Sequence, residues 1–103
     1  MNARKVREDL GRAKACCARR DTERALFLTI SALKELGGQS APLDLRGDFR
    51  TAVADLAVDP ELKAAGAPAF AYTPGAERDL LQLLSQLYRS LKGQEKEEEY
   101  QAA

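Results

Sequence analysis

Apolar side chains recur along this chain at steps of three and four, with polar residues between them, which is the period of an α-helix with one buried stripe. Ala3, Val6, Leu10, Ala13 and Cys17 predict a first helix over about 3–18, with those residues as its stripe. Asp21, after Arg19 and Arg20, is placed as an N-cap whose carboxylate accepts from the open amides of a second helix over about 22–36. Gly37 and Gly38 stop that helix, and the short connection before it makes the pair an antiparallel hairpin. Ala25, Leu26, Thr29, Ala32, Leu33 and Leu36 form its broad inner face, with Leu28 and Ile30 at the margins. Phe27 falls off that face, among Glu23, Ser31 and Lys34, so a later element covers it or it is an exposed contact residue.

A loop from Gly37 to about Asp44 leads to Leu45, Phe49, Val53 (or Ala52) and Leu56, whose spacing predicts a third helix capped by Asp44 or Asp48. Asp59 followed by Pro60 is a stronger start signal, because proline at the first helical position gives up an amide that lacks a partner there anyway. Gly66 ends this short fourth helix, and Pro68 keeps the alanine- and aromatic-rich stretch from Gly66 to Thr73 extended. Thr73 and Pro74 repeat the cap-plus-proline signal and open the longest helix, with Leu80, Leu84, Leu87 and Leu91 as a seam flanked by Leu81, Leu83 and Tyr88. Leu84 and Leu87 are expected in the core. Gly93 weakens the helix, so residues 93–103 read as a charged tail or the start of a linker. The pattern predicts an all-α fold, a compact bundle of four or five helices that begins with a hairpin and forms one domain over residues 1–92.

Composition agrees with that size: 103 residues, 45% hydrophobic and 31% charged, can close one core under a solvated surface. No apolar run approaches the roughly 20 residues that span a bilayer. The basic start, Arg4, Lys5 and Arg7, meets Glu8 and Asp9 instead of the apolar stretch of a signal peptide, so a cytoplasmic protein without membrane contact is expected. Lys plus Arg equals Asp plus Glu at 16 each, which leaves no net attraction for nucleic acid. The charge is nevertheless uneven: basic residues dominate from Arg4 to Arg24, while Glu95, Glu97, Glu98 and Glu99 face only Lys96 near the end. The basic first helix alternates with acids and carries no aromatic for base stacking, which favours a solvated face over a nucleic-acid site.

Cys16 and Cys17 are neighbours in a helix, where their side chains diverge by about 100° and cannot bridge. With no histidine in the chain, two thiols fall short of a structural zinc site, and Cys17 reads as a core thiol. Neither a metal nor another cofactor is expected. Ser31 and Lys34 have an S-x-x-K spacing but sit on a polar face without companion motifs, and Arg46–Gly47–Asp48 is read as chance. A phosphate loop, a nucleophile elbow and convergent titratable groups are all missing, so the expectation is a protein that is not an enzyme.

Residues 12–36 resemble one tetratricopeptide-type helical hairpin, on Ala15 to Asp21, on Arg24, Ala25 and Leu26, and on Ala32, Leu33 and Leu36. The resemblance implies close helix packing through the small Ala25 and Ala32, and, where hairpins stack, a groove for peptides. Cysteines stand where the family has large aromatics, two glycines stand where it has a proline, and Gly47 to Pro60 matches a further helix about one turn short. An ordinary antiparallel helix pair accounts for the same residues. The expected function is a helical protein-interaction or scaffold domain, as the N-terminal part of a longer repeat protein if hairpins follow, with Phe27, Phe70 and Tyr72 as partner-binding residues. The alternatives are self-association through the leucine-rich last helix and, with less support, nucleic-acid binding by the first helix.

Overall fold

A computed structural model describes the backbone of residues 2–102 and the side chains of residues 2–92. Five α-helices and no strand occur among them, so the fold is an all-α bundle. α1 spans Ala3–Ala18, with the Asn2 side chain accepting the Lys5 N–H at 3.2 Å as its cap. Its buried residues are Val6, Asp9, Leu10, Ala13 and Cys16. Cys17 is only half-buried, so the expected stripe is displaced at its end. At 3.6 residues per turn a strict three-four alternation drifts, and α1 faces two helices, which widens its buried face.

Arg20 turns the chain with φ of 61°, and the Asp21 carboxylate accepts the Arg24 N–H at 3.4 Å to open α2 (Thr22–Glu35). Gly37 and Gly38 end α2 in the left-handed region, at φ of 63° and 84°, where a side chain would be strained. α3 runs Leu43–Ala57, two residues earlier than the apolar spacing marks. Its N-cap is Pro42, without a side-chain hydrogen bond. Asp44 and Asp48 therefore do not cap it: both are already inside the helix, and Asp44 instead meets Arg7 of α1 at 2.6 Å. Leu45, Phe49, Ala52, Val53 and Leu56 are buried as the spacing requires.

Asp59 caps α4 (Pro60–Ala64) by accepting from the N–H groups of Glu61 at 2.9 Å and Leu62 at 3.3 Å. It also accepts the Thr22 hydroxyl at 2.9 Å, which pins α4 to the start of α2. α5 begins at Glu77 and runs to Ala102; Thr73 and Pro74 do not open it. Gly75, with φ of 92°, breaks the helical path just after Pro74, and Ala76 N–H closes a turn on Thr73 C=O. The backbone stays helical through Gly93, where glycine costs about 1 kcal/mol relative to alanine without ending a helix. The side chains of the charged segment 93–103 lie outside the described ones.

α2 occupies the middle of the bundle, in contact with α1, α3 and α5. α1 and α3 run parallel: Arg7 meets Asp44 near their starts, and Cys17 and Ala18 adjoin Asp55 and Val58 near their ends. α5 runs antiparallel to α2, since Lys92 reaches Glu23 at 2.6 Å while Arg78 and Leu81 lie beside Leu33 and Gly38. Leu80, Leu84 and Leu91 are buried in the shared core, and Leu87 is half-buried at its edge. The leucine seam is thus consumed largely inside the monomer. No described helix is long and apolar enough to cross a membrane.

Leu84→Ala empties a fully buried site and should cost about 2–5 kcal/mol. Leu87→Ala, at the edge, should cost about half as much or less. Urea titration of both variants measures the difference, and equal losses would contradict the packing described.

Candidate partner-binding surface

Phe27 projects from α2 with 53% of its surface exposed, the only large aromatic so placed among the described residues. One side of its ring is flanked by Tyr88 of α5, with centroids 5.9 Å apart and planes inclined by 44°. Lys92, one turn further along α5, places its ammonium 5.8 Å from the Tyr88 ring centre while pairing with Glu23. The cation and its carboxylate partner hold Tyr88 against Phe27 without covering it. Together with Asp21, Glu23 and Arg24, these two rings line a hollow of about 390 Å³ at the start of the α2–α5 seam. The helical phase of α2 signals Phe27; Tyr88, read from sequence only as a flank of the leucine seam, is its ring partner.

The three aromatics singled out from sequence are not brought to one place. Phe70 is half-buried against the core. Tyr72 is 6% exposed and stacks on Phe49 of α3, with centroids 5.4 Å apart, so it is a core residue and not a surface contact. The proline-containing connection cannot pair its own backbone as a helix, and it is anchored instead by laying this ring into the bundle. The Tyr72 hydroxyl donates to the buried Glu77 carboxylate at 2.9 Å. Glu77 also accepts the Ala41 N–H at 2.9 Å and the Gly75 N–H at 2.6 Å. One carboxylate at the head of α5 thereby ties together the α2–α3 loop, the connection and the last helix.

Burial works to raise the Glu77 carboxyl, but the hydrogen bonds from Ala41, its own backbone, Tyr72 and Gly75 outweigh it and hold the group below the ordinary carboxylate value. Burial and the adjacent carboxylate push the Tyr72 hydroxyl up to about 12. Nothing in the sequence pattern marks Glu77 apart from an acid in the first turn of a helix. Asp9, also 6% exposed, leaves its Oδ2 without a hydrogen-bond partner on the buried face of α1.

A second hollow, between the ends of α1 and α3, is bounded by Lys14, Cys17, Asp55 and Asp59. Cys16, not Cys17, is the core thiol of the pair, and both are free. Burial raises the Cys17 thiol to about 11, with Asp55, Asp59 and Cys16 adding to the shift. A thiol held protonated is a poor nucleophile. No cluster of three or more metal-ligating side chains occurs among the described residues.

Two tests follow from these groups. A carboxylate whose folded value is lowered contributes stability above its unfolded value, near 4.3, and loses it as pH falls through the folded one. Glu77→Gln should therefore cost about 1.5–3 kcal/mol near neutrality, and its deficit should shrink below about pH 4. A deficit that stays constant down to that pH, in urea titrations, would contradict the charge-assisted network. Cys17 should react with iodoacetamide at least about tenfold more slowly than an unhindered thiol near pH 7.5, and Asp55→Asn should speed it. Peptide mapping of the alkylated protein reads both rates.

Compared with known proteins, the chain matches no family model, no curated protein and no solved structure.

Proposed function

We propose that this chain is a non-catalytic protein-interaction or scaffold domain whose contact surface is centred on Phe27. The observation that carries the reading is a half-exposed ring beside a hollow, braced by Tyr88 and the Lys92–Glu23 pair instead of being covered. Leu43 and Val58 are also exposed, but they stand singly at opposite ends of α3 and adjoin no second exposed aromatic. The titratable groups with displaced values serve the fold: Glu77 and Tyr72 anchor a connection, Glu35 binds the Asn2 N–H and Lys5 at the start of α1, and Cys17 is held as a protonated thiol. That supports binding over chemistry.

The hairpin reading is supported by helix order, since α1 and α2 pair antiparallel and α3 then lies parallel to α1, as in stacked hairpins. The five-residue α4 is too short to complete a second hairpin. A cytoplasmic setting belongs to the same proposal. Nucleic-acid binding by α1 loses support because Arg4, Lys5 and Arg7 are paired with Glu8, Glu35 and Asp44.

Phe27→Ser should lower stability by only about 1 kcal/mol or less, because half of the ring is already in water. The same variant should lose binding to partners that the parent retains on an affinity column. If it is as stable as the parent and keeps every partner, the contact surface lies elsewhere.

A further inference from the structure

We propose that the trough along α2, between α1 and α5, receives the acidic C-terminal segment of a second copy of this chain, giving a dimer by reciprocal exchange. This rests on the interaction reading above and names its partner. Besides the hollow at Phe27, another of about 290 Å³ lies at the other end of the α2–α5 seam, floored by Leu33 and Leu81 and edged by Lys34, Gly38, Arg78 and the hydrogen-bonded Glu77 carboxylate. The trough therefore offers a hollow with an apolar floor and a charged rim at each end of the seam.

Its rim is basic. Lys5 and Arg12 are seven residues apart, which places them along one edge of α1, with Arg19 at its C-cap beyond them, and the Lys5–Glu35 pair fixes that edge beside α2. Arg24 and Lys34 are exposed on α2, and Arg78 is exposed on α5. Of the acids on the same face, Glu23 pairs with Lys92 and Glu35 with Lys5, while Asp21 caps α2 through the Arg24 N–H and keeps its charge. Arg12, Arg24, Lys34 and Arg78 form no ion pair among the described residues. A chain with no net charge thus shows one face on which basic groups outnumber acidic ones.

The matching chemistry is in the same sequence. Glu95, Glu97, Glu98 and Glu99 against a single Lys96 are followed by an aromatic, Tyr100. That is an acidic segment with one apolar anchor, the complement of a basic trough with apolar hollows. α5 continues as helix to Ala102, about 15 Å past Lys92, where it has already reached the first turn of α2. The segment is therefore carried off the end of its own trough, and the trough it can enter is that of another copy. Two such contacts exchanged reciprocally close a twofold dimer. Nucleic acid is the poorer occupant, because Phe27 leans on the Tyr88 ring, inclined by 44°, and offers no open face for a base to stack on.

Sedimentation equilibrium of the full chain, over a concentration series and at about 50 and about 500 mM salt, reads the proposal. The parent should form a dimer whose dissociation constant weakens about tenfold or more at the higher salt. Replacing Glu95, Glu97, Glu98 and Glu99 by Gln should make the chain monomeric, as should the trough variant Arg24→Glu with Lys34→Glu. An equimolar mixture of these two variants should associate more strongly than either alone and more weakly than the parent, because it restores one of the two reciprocal contacts. Thermal melts check that the trough variant is folded, and Arg24→Gln with Phe27→Ser replaces it if it is not. A monomeric parent, a dimer indifferent to the glutamates, a mixture that associates no better than either variant alone, or tighter binding to a generic oligonucleotide than to the second copy would each overturn the proposal. A monomeric parent that still binds another protein through Phe27 would overturn this inference alone; one with no Phe27-dependent partner would end the interaction reading as well.

Discussion

Because α2 carries apolar side chains around most of its circumference, from Ala25 and Leu26 through Ile30 to Leu33 and Leu36, it is stable only when wrapped by other helices. α1 and α3 cover it from one side as a parallel pair, and α5 covers it from the other. Full burial of Leu26, Phe49 and Leu84, on three different helices, marks the core where those layers meet. Thr29, also wholly buried, satisfies its hydroxyl by donating to Ala25 C=O one turn back, so this polar residue adds no open group to the centre. The same wrapping decides which surface remains. The strip of α2 that no helix covers carries Arg24, Phe27 and Lys34.

Closing α5 onto α2 requires two loops to be held in place, and the buried Glu77 carboxylate does this with bonds from Ala41, Tyr72 and Gly75. Such a group is costly to bury and strongly bound once its donors are aligned, which makes its geometry demanding. Gly75 supplies both the left-handed turn before α5 and one of the donors. Asp59 plays a similar part at α4, capping that helix and accepting from Thr22. Short connections are thus fixed by carboxylates at helix starts, while the helices are fixed by apolar packing.

The helices were largely legible because their signals are local. Asp21, Gly37 and Gly38, and Asp59 with Pro60 act through their own backbone neighbours, and each does what its residue type predicts. The errors arose where a distant group competed. Asp44 has the chemistry of a cap but is drawn to Arg7, and Thr73–Pro74 has the form of a helix start but is overridden by the turn at Gly75. Cys16 and Cys17 exchanged places because the direction of a helix's buried face depends on how many helices it meets. For the surface, the phase of α2 was enough to set Phe27 apart. Composition could not separate Phe70 and Tyr72 from it: whether an aromatic in an extended connection lies in or out depends on a receiving ring, here Phe49, and on a distant carboxylate.

Photo-crosslinking tests the Phe27 surface most directly, with a benzophenone side chain placed at position 27 in one chain and at position 58 in another. Both positions are exposed and both start as large apolar residues, so they differ only in their surroundings. The account predicts discrete covalent adducts from position 27, suppressed by raised salt, and none from position 58. Adducts of equal yield from the two positions, or from position 58 alone, would contradict it.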